Sequence, residues 1–442
     1  MQHGLRKFFW LMGAFTITFV SLASQAKADP LSPSYDNLVI LEHRIADQPH
    51  NLDYYFEYAQ MATVLEEFNR AKRAYKAMLK ANPSLDRVRL DLALLSIQTG
   101  EYAEGKKLLE TVLSHNPPEE VVTNIQQLLA VAEKSLKTHS FYAGATVGYS
   151  YDTNANSASS TDQVKVGGIS VPLTADSQED DDTQMIASAV VGHSYRIAEL
   201  DTPEYGLRWN TNLIVYGTQQ TNLDELDLGL LSGKTGPTLQ LKELKTSIGL
   251  NGSYSYITLD GNEYLGIPQG ELVVDYTPTS RLLLSLQGTF EHRHFVNSPT
   301  VFTYTDRTGN AWQSKLGAKY LLTQNDILSG SFAYREEGTR QEYYDNHYIE
   351  VAGGYIRVLP WDSFLSLSSA YQWVEYDGID SFIDPSTIRE DENWTNDISI
   401  GKKLALGLTM SLGYQYKHVD SNIENYAYDN HRVMTTLGWQ YQ

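Results

Sequence analysis

Leu408-Thr409-Met410-Ser411-Leu412-Gly413-Tyr414-Gln415-Tyr416-Lys417 alternates large apolar with small or polar residues without a break. Successive strand side chains point to opposite faces, so this stretch has one apolar and one polar face. In 246–256, Thr246, Ile248, Leu250, Tyr254 and Tyr256 oppose Ser247, Asn251, Ser253 and Ser255. The chain ends the same way, with Val433, Leu437, Trp439 and Tyr441 opposed to Thr436, Gly438 and Gln440. A soluble sandwich alternates too, so the period alone does not decide the environment. The length of the segments does: they run about ten to fourteen residues, against about five or six in globular proteins. Aromatics gather near their ends, as an interfacial girdle requires.

Working outward, the strands fall near 141–151, 184–196, 204–217, 224–241, 245–257, 269–276, 281–294, 312–322, 327–335, 347–358, 364–376, 394–403, 408–418 and 431–441, an even set of 14. Every second connection is tight, as at 277–280, 323–326, 360–363 and 404–407. Those between are longer and more polar: 152–183, 259–268, 295–311, 336–346, 377–393 and 419–430. Short inner turns and long outer loops are the habit of outer-membrane barrels. The pattern predicts a closed antiparallel transmembrane β-barrel over 139–442, in contact with outer-membrane lipid. Strand one then runs outward, and both the C-terminus and the region before the barrel lie in the periplasm. A polar lumen explains the mean hydropathy of -0.35, because lumen-facing residues mask the lipid-facing stripe. Asn251, Ser253, Gln415 and Lys417 are candidates to face that lumen.

Residues 29–138 read as helical and repetitive. Pro49, Pro83 and Pro117 are 34 residues apart, as are Phe68 and Tyr102, Ala59 and Ala93, Ala71 and Gly105, and Asn82 and Asn116. This is the tetratricopeptide period: small residues let paired helices approach, and the prolines end each second helix. Two clear repeats follow a degenerate one, and a last helix covers about 119–137. The concave face of such a stack is built mainly from first helices. Asp53, Phe56 and Gln60, then Arg87, Leu90 and Leu94 one repeat on, are its candidates for gripping a partner segment. Phe56, Leu90 and Leu94 could equally serve the core. The first 28 residues read as a signal peptide: Arg6 and Lys7, the apolar run Phe8 to Leu22, and Ala26-Lys27-Ala28 before the cleavage point.

The totals exclude several classes. Zero cysteines rule out disulfides, thiolate metal sites and a cysteine nucleophile, and a net charge of -20 offers nucleic acid no footprint. No P-loop, dinucleotide fingerprint or nucleophile–base motif stands out, so neither an enzyme nor a cofactor is expected. His292 and His294 share a strand face, and Glu179-Asp180-Asp181-Asp182 is an acidic run. An interfacial histidine pair and a solvated loop explain them better than a metal does.

Between the two regions stands Val147-Gly148-Tyr149-Ser150-Tyr151-Asp152-Thr153-Asn154-Ala155-Asn156-Ser157-Ala158. It resembles the first strand of the surface lipoprotein assembly modulator family, in which a G-Y-x-Y-D-x-N-x-N type segment follows tetratricopeptide repeats. The resemblance covers nearly the whole mature chain. It implies a type XI secretion translocon that moves lipoproteins or soluble proteins from the periplasm to the cell surface. A periplasmic client would then be a partner, as would the barrel assembly machinery, which reads a terminal aromatic (here Tyr441 is penultimate). Tyr149, Asp152, Asn154 and Asn156 are the candidate rim motif. The alternative is a porin-like channel or an exopolysaccharide exporter with a periplasmic docking domain. An exporter calls for a single-sign charge stripe and inward stacking aromatics.

Overall fold

The computed structural model describes residues 33–174, 177–202, 204–298 and 301–441. The expected signal segment, 1–28, lies outside them. The chain divides into two compact units between Lys137 and Thr138.

Among the described residues the first unit holds six helices: α1 (Tyr35–Asp47), α2 (Leu52–Val64), α3 (Phe68–Ala81), α4 (Asp86–Gln98), α5 (Tyr102–Ser114) and α6 (Glu119–Leu136). Pro49, Pro83 and Pro117 follow α1, α3 and α5, where the missing N–H and the fixed φ prevent continuation. Thus α2–α3 and α4–α5 are the full repeats, and α1 is the remnant before them. Ala59, Ala71 and Ala93 are fully buried. A Cβ at Gly105 would sit 2.6 Å from Ile97 Cγ1 and 3.2 Å from the Ala93 carbonyl. The small residues therefore set how closely α4 and α5 approach. Lys72, almost wholly buried, meets Glu101 at 2.9 Å and ties one repeat to the next. Burial and Glu42, which accepts its hydroxyl at 2.6 Å, push Tyr58 up to about 12.

The second unit is a closed antiparallel barrel of 14 strands, β1 (His139–Asp152) and β4 (Asp182–Ile197) through β16 (Tyr428–Tyr441). Most barrel strands have 13 to 16 residues. Leu250, Tyr254, Leu412, Leu437 and Trp439 face outward and are exposed, as expected of a lipid-facing wall. The connection after β1 contains a two-stranded hairpin, β2 (Gln163–Val166) and β3 (Ile169–Pro172), that the alternation did not predict.

The long loop expected at 259–268 is instead a tight turn. β7 (Thr246–Leu259) passes through Asp260 and Gly261, at φ 50° and 69°, straight into β8 (Asn262–Thr279). Asp-Gly with both residues at positive φ matches the twist of the flanking strands. That local preference outweighed the polar character of Asn262 and Glu263.

Replacing Gly105 by Val should cost the helical unit about 2 kcal/mol through overpacking. Thermal melting followed at 222 nm would show it, whereas the barrel's heat-resistant gel mobility should not change.

Candidate functional site

The barrel has one junction whose two strands are not joined by a connecting segment, the ladder between β1 and β16. It pairs Ala143–Asp152 with Arg432–Tyr441, whereas β1 pairs over its whole length with β4. At the long-loop end of this seam lies the rim motif. Buried Asp152 accepts from Arg432 Nε at 2.8 Å, directly across the ladder. The other Asp152 oxygen accepts the Asn154 N–H at 3.2 Å. Asn154 is 1 % exposed: its Nδ2 donates to the Ala158 and Asp429 carbonyls, at 2.9 and 3.3 Å, while its Oδ1 accepts the Ala158 N–H at 2.9 Å. Asn156 bridges the far arm of the same loop, donating to the Gln178 carbonyl at 2.8 Å and accepting the Asp180 N–H at 3.2 Å. Asp152 and Asn154 thus clasp the closing strands, while Asn156 ties together the two arms of the loop that follows β1. Tyr149 does not join them; it is exposed on the outer face of β1.

Beyond the clasp, the loop runs across neighbouring loops. Ser159 Oγ donates to the Glu424 carbonyl at 2.6 Å, and the Ser160 N–H to that of Ala427 at 3.0 Å. In the hairpin, Asn425 clamps Lys165: its Oδ1 accepts the Lys165 N–H at 2.7 Å and its Nδ2 donates to the carbonyl at 2.9 Å. The tip N–H groups of Gly167 and Gly168 donate to the Phe382 and Ile383 carbonyls at 2.7 and 2.8 Å. Lys165 Nζ meets buried Asp384 at 2.5 Å. That ammonium, with the Ser386 and Thr387 donors, holds the Asp384 carboxyl well below the usual carboxylate range. Sequence reasoning missed this docking, although Val166-Gly167-Gly168-Ile169 is a hairpin signal.

Further loops meet at the same rim. Arg389 lies 3.3 Å from the ring centre of Tyr426 and 4.6 Å from that of Tyr376, and pairs with Asp391 at 2.6 Å. Arg307 stacks over Tyr344 at 4.9 Å, and Tyr264 meets Tyr304 edge-on at 5.0 Å. Burial pushes the Tyr426 hydroxyl up, against the pull of Arg389.

Inside the wall, charges of both signs pair. Glu271 binds Lys234 and also accepts from Asn251 at 3.1 Å and Gln287 at 2.8 Å. Arg335 meets Glu291 at 2.7 Å and Glu337 at 3.2 Å, and Gln415 donates to Asp397 at 2.7 Å. Lys417 Nζ donates to the Tyr428 hydroxyl at 2.5 Å. Ser253 faces Gln269 and Lys234 across its two ladders. This lining carries charges of both signs and not a single-sign stripe.

On the helical unit, Asp53, Gln60, Arg87 and Leu94 are exposed on α2 and α4. Phe56 and Leu90 are half-buried against the two cores. Phe56 meets Tyr75 edge-on at 6.3 Å, and Arg87 pairs with Asp91 at 3.2 Å. Burial pushes the Asp91 carboxyl up, against the pull of that guanidinium.

His292 and His294 lie on the outer wall, ring centres 6.4 Å apart, and His292 bonds Asn310 at 2.9 Å. The acidic run is dispersed: Ser160 donates to Glu179, while Asp182 accepts the Asn222 and Leu223 N–H groups at 2.9 and 3.0 Å. No metal-holding group of three ligands occurs among the described residues.

Residues 141–441 match the surface lipoprotein assembly modifier family. The chain belongs to that family. Residues 65–130 match a tetratricopeptide repeat. Family and fold together make it an outer-membrane β-barrel protein with a part in surface lipoprotein assembly.

Similar solved structures include the outer membrane channel DcaP of Acinetobacter baumannii, 10% identical over 69% of this chain and 97% of that one, with a TM-score of 0.39. OmpT of Vibrio cholerae is 11% identical over 69% and 97%, at 0.40. The TPR2B-domain:pHsp70 complex of yeast Sti1 is 20% identical over 22% and 79%, at 0.20. At such scores the likeness carries no functional argument. No curated protein matches the chain.

Two results are expected. Arg432→Ala strands the Asp152 carboxylate and should weaken the barrel by about 2 kcal/mol, less than a fully buried pair because the guanidinium is partly solvated; the urea midpoint in detergent would report it. Asp384 is a depressed carboxylate, so its contribution to hairpin docking is complete above the ordinary value of about 3.9 and is lost as pH falls through the lower, folded value. Tryptic cleavage after Lys165 should therefore be slow and unchanged from pH 6 to 8, yet fast throughout in Asp384→Asn.

Proposed function

We propose that this protein is a translocon: its helical repeats collect a periplasmic client, a lipoprotein or a soluble protein, and its barrel conveys that client to the cell surface. The observation that carries the reading is the family match over the barrel, joined in one chain to a tetratricopeptide unit. Repeat stacks of this kind commonly offer a concave surface to an extended segment. Here that surface would comprise Asp53, Phe56, Gln60, Arg87, Leu90 and Leu94, with Arg87 and Asp91 supplying charge. β1 begins at the short-turn end of the barrel, the end that ordinarily faces the periplasm. The paired charges inside the barrel speak against the polymer-exporter alternative, which calls for a one-sign path. The work is binding and conveyance, with no bond made or broken by this chain.

The test is surface display of a co-expressed lipoprotein, scored by protease shaving of intact cells with and without the protein. The client should reach the surface only when the protein is present. Arg87→Glu combined with Leu94→Asp should lower display about ten-fold, the equivalent of ~1.4 kcal/mol of binding, while the barrel level stays constant. Equal display in cells lacking the protein would sink the reading.

A further inference from the structure

The helical stack finishes differently at its two ends. At one end α6 exposes Thr123, Asn124, Gln127, Glu133 and Lys134, the polar outer face that a terminal repeat needs to stay soluble. At the other end α1 breaks that rule. Leu38 and Leu41 bury fully against the stack, while Asp36, Val39, Ile40, His43 and Asp47 are all exposed. Their spacing makes them one stripe along the free side of the helix. Val39 is 46 % exposed and Ile40 42 %.

The 34-residue period explains why this stripe is uncovered. α1 corresponds to α3, where Ala74 takes the place of Ile40 and is only 6 % exposed. There α2 supplies the first helix of the repeat and shares one core with α3. No such first helix precedes α1 among the described residues. The period would place it at 18–30, across the expected cleavage after Ala28. The mature chain would then keep only 29–34 ahead of α1, less than half of the 13 residues of α2. The cover has to come from another molecule.

The stripe is complementary to itself. Asp36 precedes Val39 by three residues, as His43 follows Ile40. An antiparallel second copy, centred between Val39 and Ile40, therefore brings the four apolar side chains into one layer. On either side of that layer Asp36 lies opposite the partner's His43. His43 Nδ1 is 2.9 Å from the Val39 carbonyl, so Nε2 is the atom left to meet a carboxylate, which favours the protonated ring.

We propose that α1 is a self-association surface through which two copies of this protein pair in the outer membrane. The face of one 13-residue helix is smaller than the ~1,000 Å² that a specific interface usually buries. Two chains anchored in one membrane, however, meet at a raised effective concentration. The contact uses none of the groove candidates and does not depend on the translocon reading.

The chain has no cysteine, so single cysteines report the contact directly. Full-length Val39→Cys, oxidised in intact cells, should run on non-reducing gels mainly at twice the monomer mass. Ala103→Cys, exposed on α5, should stay monomeric. In the Val39→Cys background, Asp36→Arg sets like charges against each other and should lower the dimer yield about ten-fold. Adding His43→Asp should restore it. All these positions are exposed, so the helical signal at 222 nm should not change. Three results would overturn the pairing: no more dimer from Val39→Cys than from Ala103→Cys, cross-linking to a different protein, or no recovery in the double swap.

Discussion

A sheet in a membrane must have no edge. Hydrocarbon offers no water to an unpaired N–H or C=O, so the first strand has to find the last and close the cylinder. Every other neighbouring pair is joined directly by one connecting segment, that between β1 and β4 carrying the β2–β3 hairpin. β1 and β16 are not, and must meet from the two ends of the domain. Closure entropy rises only slowly with loop length, so the distance is tolerable, but nothing local holds the register. Asp152–Arg432 and the carbonyls gathered by Asn154 supply at one end of the seam what a turn supplies elsewhere.

Closure also dictates the chemistry of the two surfaces. Once the cylinder exists, alternation divides each strand into a lipid face and a lumen face, and charges turned inward must find one another. They do so across neighbouring ladders, as Lys234 with Glu271 and Arg335 with Glu291. The helical unit meets the backbone requirement differently. Its bonds lie within each helix, and what must be arranged is the closeness of packing at Ala59, Ala93 and Gly105.

The architecture was largely legible. Alternation at 408–417 and 246–256 reports directly on strands, and the spacing of Pro49, Pro83 and Pro117 reports on helix ends, because both are properties of neighbouring residues. The Asp-Gly pair at 260–261 is a turn signal that the sequence carries, and its preference for positive φ prevails over the polar residues after it. Asp152, Asn154 and Asn156 stood out as a motif, and their short spacing reflects turn bonds made nearby. That Asn154 also grips β16 was not visible, and neither was the separation of Tyr149 from its companions, which follows from side-chain parity on β1.

The sequence by itself determined where the helices and strands lie, which strand face is apolar, and that a rim motif would sit where β1 ends. These follow from periods of 2 and 3.6 residues and from the turn preferences of a few residues. Only the tertiary structure decided that Lys165 meets Asp384 and that Arg389 lies between Tyr376 and Tyr426. Those partners come from segments far apart in the chain. Cylinder closure and strand register choose them, and neither leaves a mark in any local stretch of sequence.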